Sequence, residues 1–202
     1  MQLSKRAYYA DFGIYAIIAA AMLVAAAALD DWRAFRQWLE AACVGAAFWT
    51  LIEYVLHRFV FHGMPLFIPL HGRHHEMPRA FIGTPTWMSL GVLTTAIFLP
   101  AWWGTSLNIA SALTAGVALG FLWYGVLHHA MHHRRPRFIA SHLTALALQR
   151  HMRHHYSPTP GNFGVTTQFW DQVFGTELPA SRSAGARSSP GATSELASDQ
   201  EG

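Results

Sequence analysis

Histidine is concentrated in four short clusters in the middle of this chain. All thirteen histidines lie between residues 57 and 155, twelve of them in the four clusters, and neighbours within a cluster are at most five residues apart. Neutral imidazole is the commonest protein ligand for metal ions. Because the same short spacing recurs in every cluster, the sequence predicts a metal site and not a scatter of surface histidines.

Ten of these histidines are the expected ligands. They are His57 and His62, His71, His74 and His75, His128 and His132, and His151, His154 and His155. His129 and His133 share the spacing of the chosen pair in the third cluster, so they remain alternative ligands. Glu53 and Glu76 are candidate partners for the outer ring nitrogens, since metal-bound imidazoles commonly donate to carboxylates. The single cysteine, Cys43, excludes a site built from several thiolates.

The number and spacing of the imidazoles favour two metal ions. Side chains three or four residues apart share one face of a helix, but His57 and His62 are five apart, about 140° around an ideal helix. We therefore expect these two side chains to serve different ions. The ten expected ligands also exceed the four of a closed zinc site. Imidazole suits iron, zinc, copper and nickel alike, and a two-metal site suits either hydrolytic or O₂ chemistry.

The composition is that of a membrane protein. Of the 202 residues, 52% are hydrophobic and only 12% are charged, which is too apolar for an ordinary soluble domain. The 14 basic and 11 acidic residues leave a net charge of +3, and the basic ones are dispersed between apolar segments. That distribution argues against nucleic acid as a partner, because a nucleic-acid interface needs a concentrated basic surface.

Four apolar segments are long enough to cross a bilayer. They lie at about 12–29, 41–62, 86–103 and 107–127, and they predict an all-α integral membrane protein with about four transmembrane helices. The first segment also has features of a signal peptide, but its long apolar run favours a retained anchor. We expect a membrane domain over 1–178 and a disordered tail over 179–202, where Ser, Ala and Gly predominate.

Charge asymmetry orients these helices. With the N-terminus in the cytoplasm, twelve basic residues lie inside and only Arg33 and Arg36 lie outside, as the positive-inside rule requires. The same topology brings all four histidine clusters to the cytoplasmic side. The clusters then form a cap of helices and loops where the second and fourth segments leave the membrane.

The four clusters resemble the histidine boxes of the fatty acid hydroxylase superfamily, which includes fatty acid 2-hydroxylases and sterol desaturases. In chain order, the boxes are HxxxxH at His57 and His62, HxxHH at 71–75, HxxxH at His128 and His132, and HxxHH at 151–155. The stretch from Asn162 to Thr176 also resembles the end of the family's domain. The resemblance covers about residues 53–176, and it is specific for the superfamily but not for the substrate.

The resemblance implies two iron ions in a four-helix membrane fold with a cytosolic cap. Such enzymes use O₂ and two electrons to hydroxylate or desaturate an unactivated carbon of a lipid. This chain would then be a di-iron oxygenase that hydroxylates the acyl chain of a fatty acid or a sphingolipid-like molecule. A separate donor of the cytochrome b5 or ferredoxin type would supply the electrons, and zinc could replace iron in the isolated protein.

Other functions remain open at this point. Carotenoid hydroxylases resemble this chain in their compact form and similar boxes, and sterol-type desaturases or oxidases belong to the same superfamily. Gly125 stands where relatives often carry an acid beside the third box, so a contact near the metal site can differ. A metal transporter would need polar residues along its spans, and the first, third and fourth segments contain no acidic or basic side chain.

Overall fold

The chain forms helices throughout its regular structure. The computed structural model describes residues 1–28, 30–133 and 142–179, with backbone only at 142 and 143. Over these ranges the predicted all-α class is confirmed. The predicted tail lies outside the described residues except for Pro179, so the domain boundary at 178 stays a prediction.

Eight α-helices occur in the described ranges. They are α1 (Lys5–Ala27), α2 (Trp32–Val55), α3 (Ile68–Glu76), α4 (Thr86–Val92), α5 (Leu99–Gly104), α6 (Leu107–His132), α7 (His142–Tyr156) and α8 (Phe169–Val173). Two π-helices are continuous with them. One extends α2 over Leu56–Phe61, and the other joins α4 to α5 over Leu93–Phe98.

Polar caps begin the three long helices. The side chains of Ser4, Asp31 and Ser106 each accept a hydrogen bond from an amide in the first turn of α1, α2 and α6. Each bond satisfies an amide that has no partner inside its helix. These caps lie at or outside the apolar runs, so α1 begins at residue 5 and α2 at residue 32, before the predicted 12 and 41.

Among the described residues, three helices are long and apolar enough to cross a membrane, by length and composition. They are Lys5–Ala27, Trp32–Phe61 and Leu107–His132, and they support the predicted integral membrane protein. The predicted third span at 86–103 is helical over 86–104, but it consists of α4, a π-helix and α5 and is not among the three. Its threonines, its proline and its tryptophans dilute the apolar run. Its crossing of the membrane stays a prediction.

The packing of α2 against α6 brings two histidine clusters to one end of the molecule. A Cβ on Gly116 would lie 2.0 Å from the carbonyl oxygen of Ala42, and a Cβ on Gly120 would lie 2.5 Å from the side chain of Trp49. Both contacts advance in the same direction along the two helices, so α2 and α6 are parallel. Small residues at such contacts allow two helix backbones to touch.

Replacing Gly116 by alanine is expected to destabilise the protein by about 1–3 kcal/mol, the usual cost of overpacking. The new methyl group meets backbone, which cannot rotate away, so α2 and α6 must separate. Gly91→Ala in α4 is the matched control, because nothing lies within 4 Å of a Cβ there. Thermal unfolding in detergent measures both variants. Equal melting temperatures would contradict the close contact.

Candidate metal centre

Ten histidines converge on two adjoining groups of ring nitrogens. The first group contains His57, His62, His71, His75 and His154, and the second group contains His74, His128, His132, His151 and His155. Within a group, one nitrogen of each member lies within 4.8 Å of the others. The structure therefore brings together all ten histidines that the sequence singled out as ligands.

His57 and His62 belong to the same group, so the expectation that they serve different ions is wrong. The cause is the π-helix at 56–61, in which the amide of His62 donates to the carbonyl oxygen of His57 at 3.2 Å. This five-residue repeat is wider than an α-helical turn. It places side chains five apart on one face, with the two ring centroids 5.2 Å apart.

The two HxxHH clusters each contribute to both groups. In α3 the outer pair, one helical turn apart, belongs to the first group and His74 belongs to the second. In α7 the outer pair belongs to the second group and His154 belongs to the first. Each of these short helices therefore lies across the boundary between the groups. The spacing correctly predicted that the two outer histidines of each cluster share a helix face. It did not predict that the middle histidine of each cluster belongs to the other group.

Ring nitrogens within the groups face one another at close range. Nε2 of His71 lies 3.1 Å from Nε2 of both His57 and His75, and Nε2 of His132 lies 2.8 Å from Nε2 of His151. Two nitrogens bound to one ion at about 2.0–2.1 Å, with an angle of about 90° between the bonds, lie about 3 Å apart. The observed separations fit a shared metal ion.

Several of these nitrogens are buried without a hydrogen-bond partner. Within the described ranges, this is true of both ring nitrogens of His155 and of Nδ1 of His151. Buried polar atoms are normally paired. A metal ion would satisfy those that face the group interior, and the all-imidazole donor sets suit iron or zinc.

Burial lowers the pKa of several imidazoles that lie outside the membrane-spanning helices. Burial, followed by the neighbouring His132, lowers the pKa of His74 to about 3. Burial, followed by His75, lowers the pKa of His62 to about 4 and the pKa of His155 to about 2. A neutral imidazole keeps the lone pair that a metal ion requires, so the groups are ready to bind metal at physiological pH.

Two backbone carbonyls orient imidazoles of the first group. Nδ1 of His57 donates to the carbonyl oxygen of Phe163 at 2.5 Å, and Nδ1 of His154 donates to that of Gly161 at 2.8 Å. Because a carbonyl can only accept, Nδ1 carries the proton and Nε2 presents its lone pair to the group. Sequence reasoning missed these two partners, since a backbone carbonyl has no signature in residue type.

Glu53 supports the loop that carries these carbonyls. It is 3% exposed, and its carboxylate accepts hydrogen bonds from the amides of Val165 and Thr166 and from the hydroxyl of Thr166. The direct contact with a ligand imidazole that we expected is wrong for Glu53, because the Phe163 carbonyl occupies that place. Glu53 therefore acts on the histidines only through the loop.

Asp171 holds the same loop from its other side. It is 1% exposed, and its two carboxylate oxygens accept from the amides of Phe163 and Gly164 at 2.8 Å. In the sequence, Asp171 lies within the stretch from Asn162 to Thr176 that resembles the end of the family's domain. A carboxylate shortly after the turn-forming stretch Asn162-Phe-Gly was the sequence feature that could have predicted this role of Asp171. Asn162 has a left-handed backbone conformation, with φ of 53°.

His129, His133 and Glu76 lie outside both groups. The two histidines stack on each other with centroids 4.3 Å apart, and His129 packs against Tyr8 of α1. They therefore do not replace the third-cluster pair that joins the second group. Glu76 is exposed at the end of α3, and its side chain makes no hydrogen bond or ion pair within the described part of the chain. The structure gives it no contact with a ligand histidine.

Curated relatives of this chain are lipid hydroxylases. It is 34% identical over 154 residues to dihydroceramide fatty acyl 2-hydroxylase FAH1 of Arabidopsis thaliana, covering 69% of this chain and 60% of that protein. It is 31% identical over 152 residues to fatty acid 2-hydroxylase of Homo sapiens, covering 67% of this chain and 39% of that protein. The chain thus matches less than two thirds of the length of either relative.

A solved structure and a family profile agree with these relatives. The structure of full-length scs7p, in which only the hydroxylase domain is visible, matches with a TM-score of 0.69 at 30% identity, covering 86% of this chain and 67% of that chain. Residues 42–176 match the family model for Fatty acid hydroxylase. This range contains every histidine of the two groups and the loop behind them. The chain therefore belongs to the fatty acid hydroxylase family.

Proposed function

We propose that this chain is a membrane-bound di-iron oxygenase that hydroxylates a C–H bond of a lipid acyl chain. The observation that carries the proposal is the pair of five-imidazole groups, which adjoin one another at the ends of two long apolar helices. The relatives described above are named for hydroxylation of fatty acyl groups. Their names favour an acyl chain over a sterol or a carotenoid as the substrate.

Each group would hold one iron ion. The first group would bind it through residues of α2's π-helical extension, α3 and α7, and the second through residues of α3, α6 and α7. Two iron ions bound there would supply the reductive activation of O₂. Zinc favours the same imidazole donors, so zinc in an isolated sample would mark the site without identifying the native metal.

The reaction needs O₂ and a reductant for its atoms and electrons to balance. A methylene, O₂, two electrons and two protons give a secondary alcohol and one water molecule. One oxygen atom enters the C–H bond, and the other leaves as water. A separate protein of the cytochrome b5 or ferredoxin type would deliver the electrons. The task of this chain is to hold the ions, exclude water and present one methylene.

The position of the site suits a substrate that arrives from the bilayer. His57 and His128 lie near the ends of two helices that can cross a membrane, and Tyr8 contacts His129, so the start of α1 lies on the same side. We place this side in the cytoplasm, because the positive-inside rule favours the face with most of the basic residues. The end of a lipid acyl chain that lies at this membrane surface is then directly below the histidine groups.

Oxygen labelling tests this function. Purified protein loaded with Fe²⁺ in lipid nanodiscs, given an N-acyl sphingoid lipid, a reductant and heavy-oxygen-labelled O₂, is expected to form a hydroxylated acyl chain with one labelled atom. Mass spectrometry of the intact lipid measures the label. A parallel reaction in labelled water with ordinary O₂ is the control, and it should leave the product unlabelled.

Three results would contradict the proposed function. A product that takes its oxygen from water would indicate hydrolytic or hydration chemistry. A product that has lost two hydrogens and gained no oxygen would indicate a desaturase. Lipid that stays unchanged while the protein retains both ions would exclude acyl oxidation altogether.

A further inference from the structure

A small cavity lies between the start of α1 and the second group. Its volume is about 10 Å³, which is near the minimum of about 10–15 Å³ that holds one water molecule. Its lining includes Tyr8, Ala80 and Ile82 and three members of the second group, His74, His128 and His132. The cavity therefore has room for one oxygen atom beside the imidazoles.

Tyr8 brings a hydroxyl group to the lining of this cavity. Of the non-histidine residues that line the cavity in the described part of the chain, Tyr8 alone has a polar side chain. Its hydroxyl oxygen lies 3.2 Å from Nδ1 of His129. When Nδ1 carries the proton and donates to Tyr8, the hydroxyl hydrogen of Tyr8 is free for another acceptor. Tyr8 can then donate to an oxygen atom in the cavity.

The surroundings of Tyr8 hold its ring in place. Its ring centroid lies 5.1 Å from that of Phe81. A backbone hydrogen bond joins the segments that carry Tyr8 and Phe81, because the amide of Leu3 donates to the carbonyl oxygen of Phe81 at 2.8 Å. Gln2 also forms an isolated bridge with Ile82. A side chain fixed in this way can position a ligand with little loss of conformational entropy.

We propose that Tyr8 donates a hydrogen bond to the carbonyl oxygen of the acyl group and so selects the carbon that is hydroxylated. This inference rests on the proposed function and extends it to the position of attack. The carbon next to a carbonyl lies about 2.4 Å from the carbonyl oxygen, by standard bond lengths and angles. An oxygen held in the cavity therefore brings the adjacent methylene closest to the second group.

Tyr9 provides a matched control for this role. Its hydroxyl oxygen also contacts His129, at 3.4 Å from Nε2, but Tyr9 is 41% exposed and does not line the cavity. Tyr8→Phe and Tyr9→Phe each remove one phenol from the same imidazole. Of these two variants, only Tyr8→Phe removes a phenol from the cavity lining. Because both variants remove one phenol from His129, a difference between them reports on the cavity.

Ligand binding is the first measurement. Protein loaded with Fe²⁺ under nitrogen, without reductant, is titrated with a fluorescent acyl lipid and with its alkyl ether counterpart, which lacks the carbonyl and is equally neutral. Wild type and Tyr9→Phe are expected to bind the acyl lipid about 2- to 10-fold more tightly, the range of one net hydrogen bond. Tyr8→Phe should bind the two lipids equally and should retain the wild-type metal content.

Product position is the second measurement, made by tandem mass spectrometry after turnover. Wild type and Tyr9→Phe should hydroxylate the carbon next to the carbonyl, and Tyr8→Phe should give a mixture with the following carbon. Unchanged preference and position in Tyr8→Phe would overturn the inference, and so would equal losses in the two variants. A wild type that prefers the acyl lipid but oxidises nothing would refute the proposed function and leave the binding role of Tyr8 standing.

Discussion

Replacing His71 by alanine is expected to remove one metal ion per chain and to lower lipid hydroxylation by more than about 100-fold. Loss of a hydrogen-bond partner of a metal ligand typically costs about 10- to 100-fold in metal affinity or activity, and His71 is placed as a ligand itself. Its Nε2 lies 3.1 Å from Nε2 of both His57 and His75. Removing it opens the centre of the first group, while the second group keeps all five members.

His133→Ala is the matched control for this prediction. His133 lies at the same end of the molecule and stacks on Phe81, with ring centroids 5.8 Å apart, but it belongs to neither group. The metal-to-protein ratio and the rate of product formation should both stay near wild type. A His71→Ala protein that retains two ions and full activity would show that the first group does not form a functional metal site.

Replacing Glu53 by glutamine is expected to weaken metal binding by about 10- to 100-fold, although Glu53 contacts no ligand histidine. The carboxylate accepts from two amides and one hydroxyl of residues 165 and 166. An amide side chain offers one acceptor and brings two unwanted donors. The loop then shifts, and the carbonyl oxygens of Gly161 and Phe163 no longer orient His154 and His57.

Competition with a calibrated chelator measures the metal affinity of Glu53→Gln. Glu76→Gln changes the charge in the same way at an exposed position and should bind metal like wild type. The loss should fall mainly on one of the two ions, because the supported histidines both belong to the first group. Equal affinity in the two variants would disprove the supporting role of Glu53.

Helical periodicity was sufficient to predict much of the site. The outer pairs of the two HxxHH clusters share a face because they are one turn apart, and the structure places each pair in a single group. The long apolar runs predicted the helices that carry His57 and His128 to one end of the fold. These features depend on local geometry, which the sequence encodes directly.

Other features depend on contacts that local patterns do not contain. The π-helix that unites His57 and His62 requires one extra residue per turn, whereas the ideal α-helix predicted opposite faces. The carbonyl partners of the ligands come from the loop at 161–163, more than a hundred residues after His57 in the chain. The sequence predicted a ring nitrogen as the partner of Glu53, whereas the fold gives it the amides of Val165 and Thr166 in that loop.

Anomalous diffraction at the iron edge, from crystals of the protein loaded with Fe²⁺ under nitrogen, tests the central claim most directly. The predicted result is two peaks of similar height, one among the imidazoles of the first group and one among those of the second. A single peak, or a peak between His129 and His133, would contradict the two-iron centre.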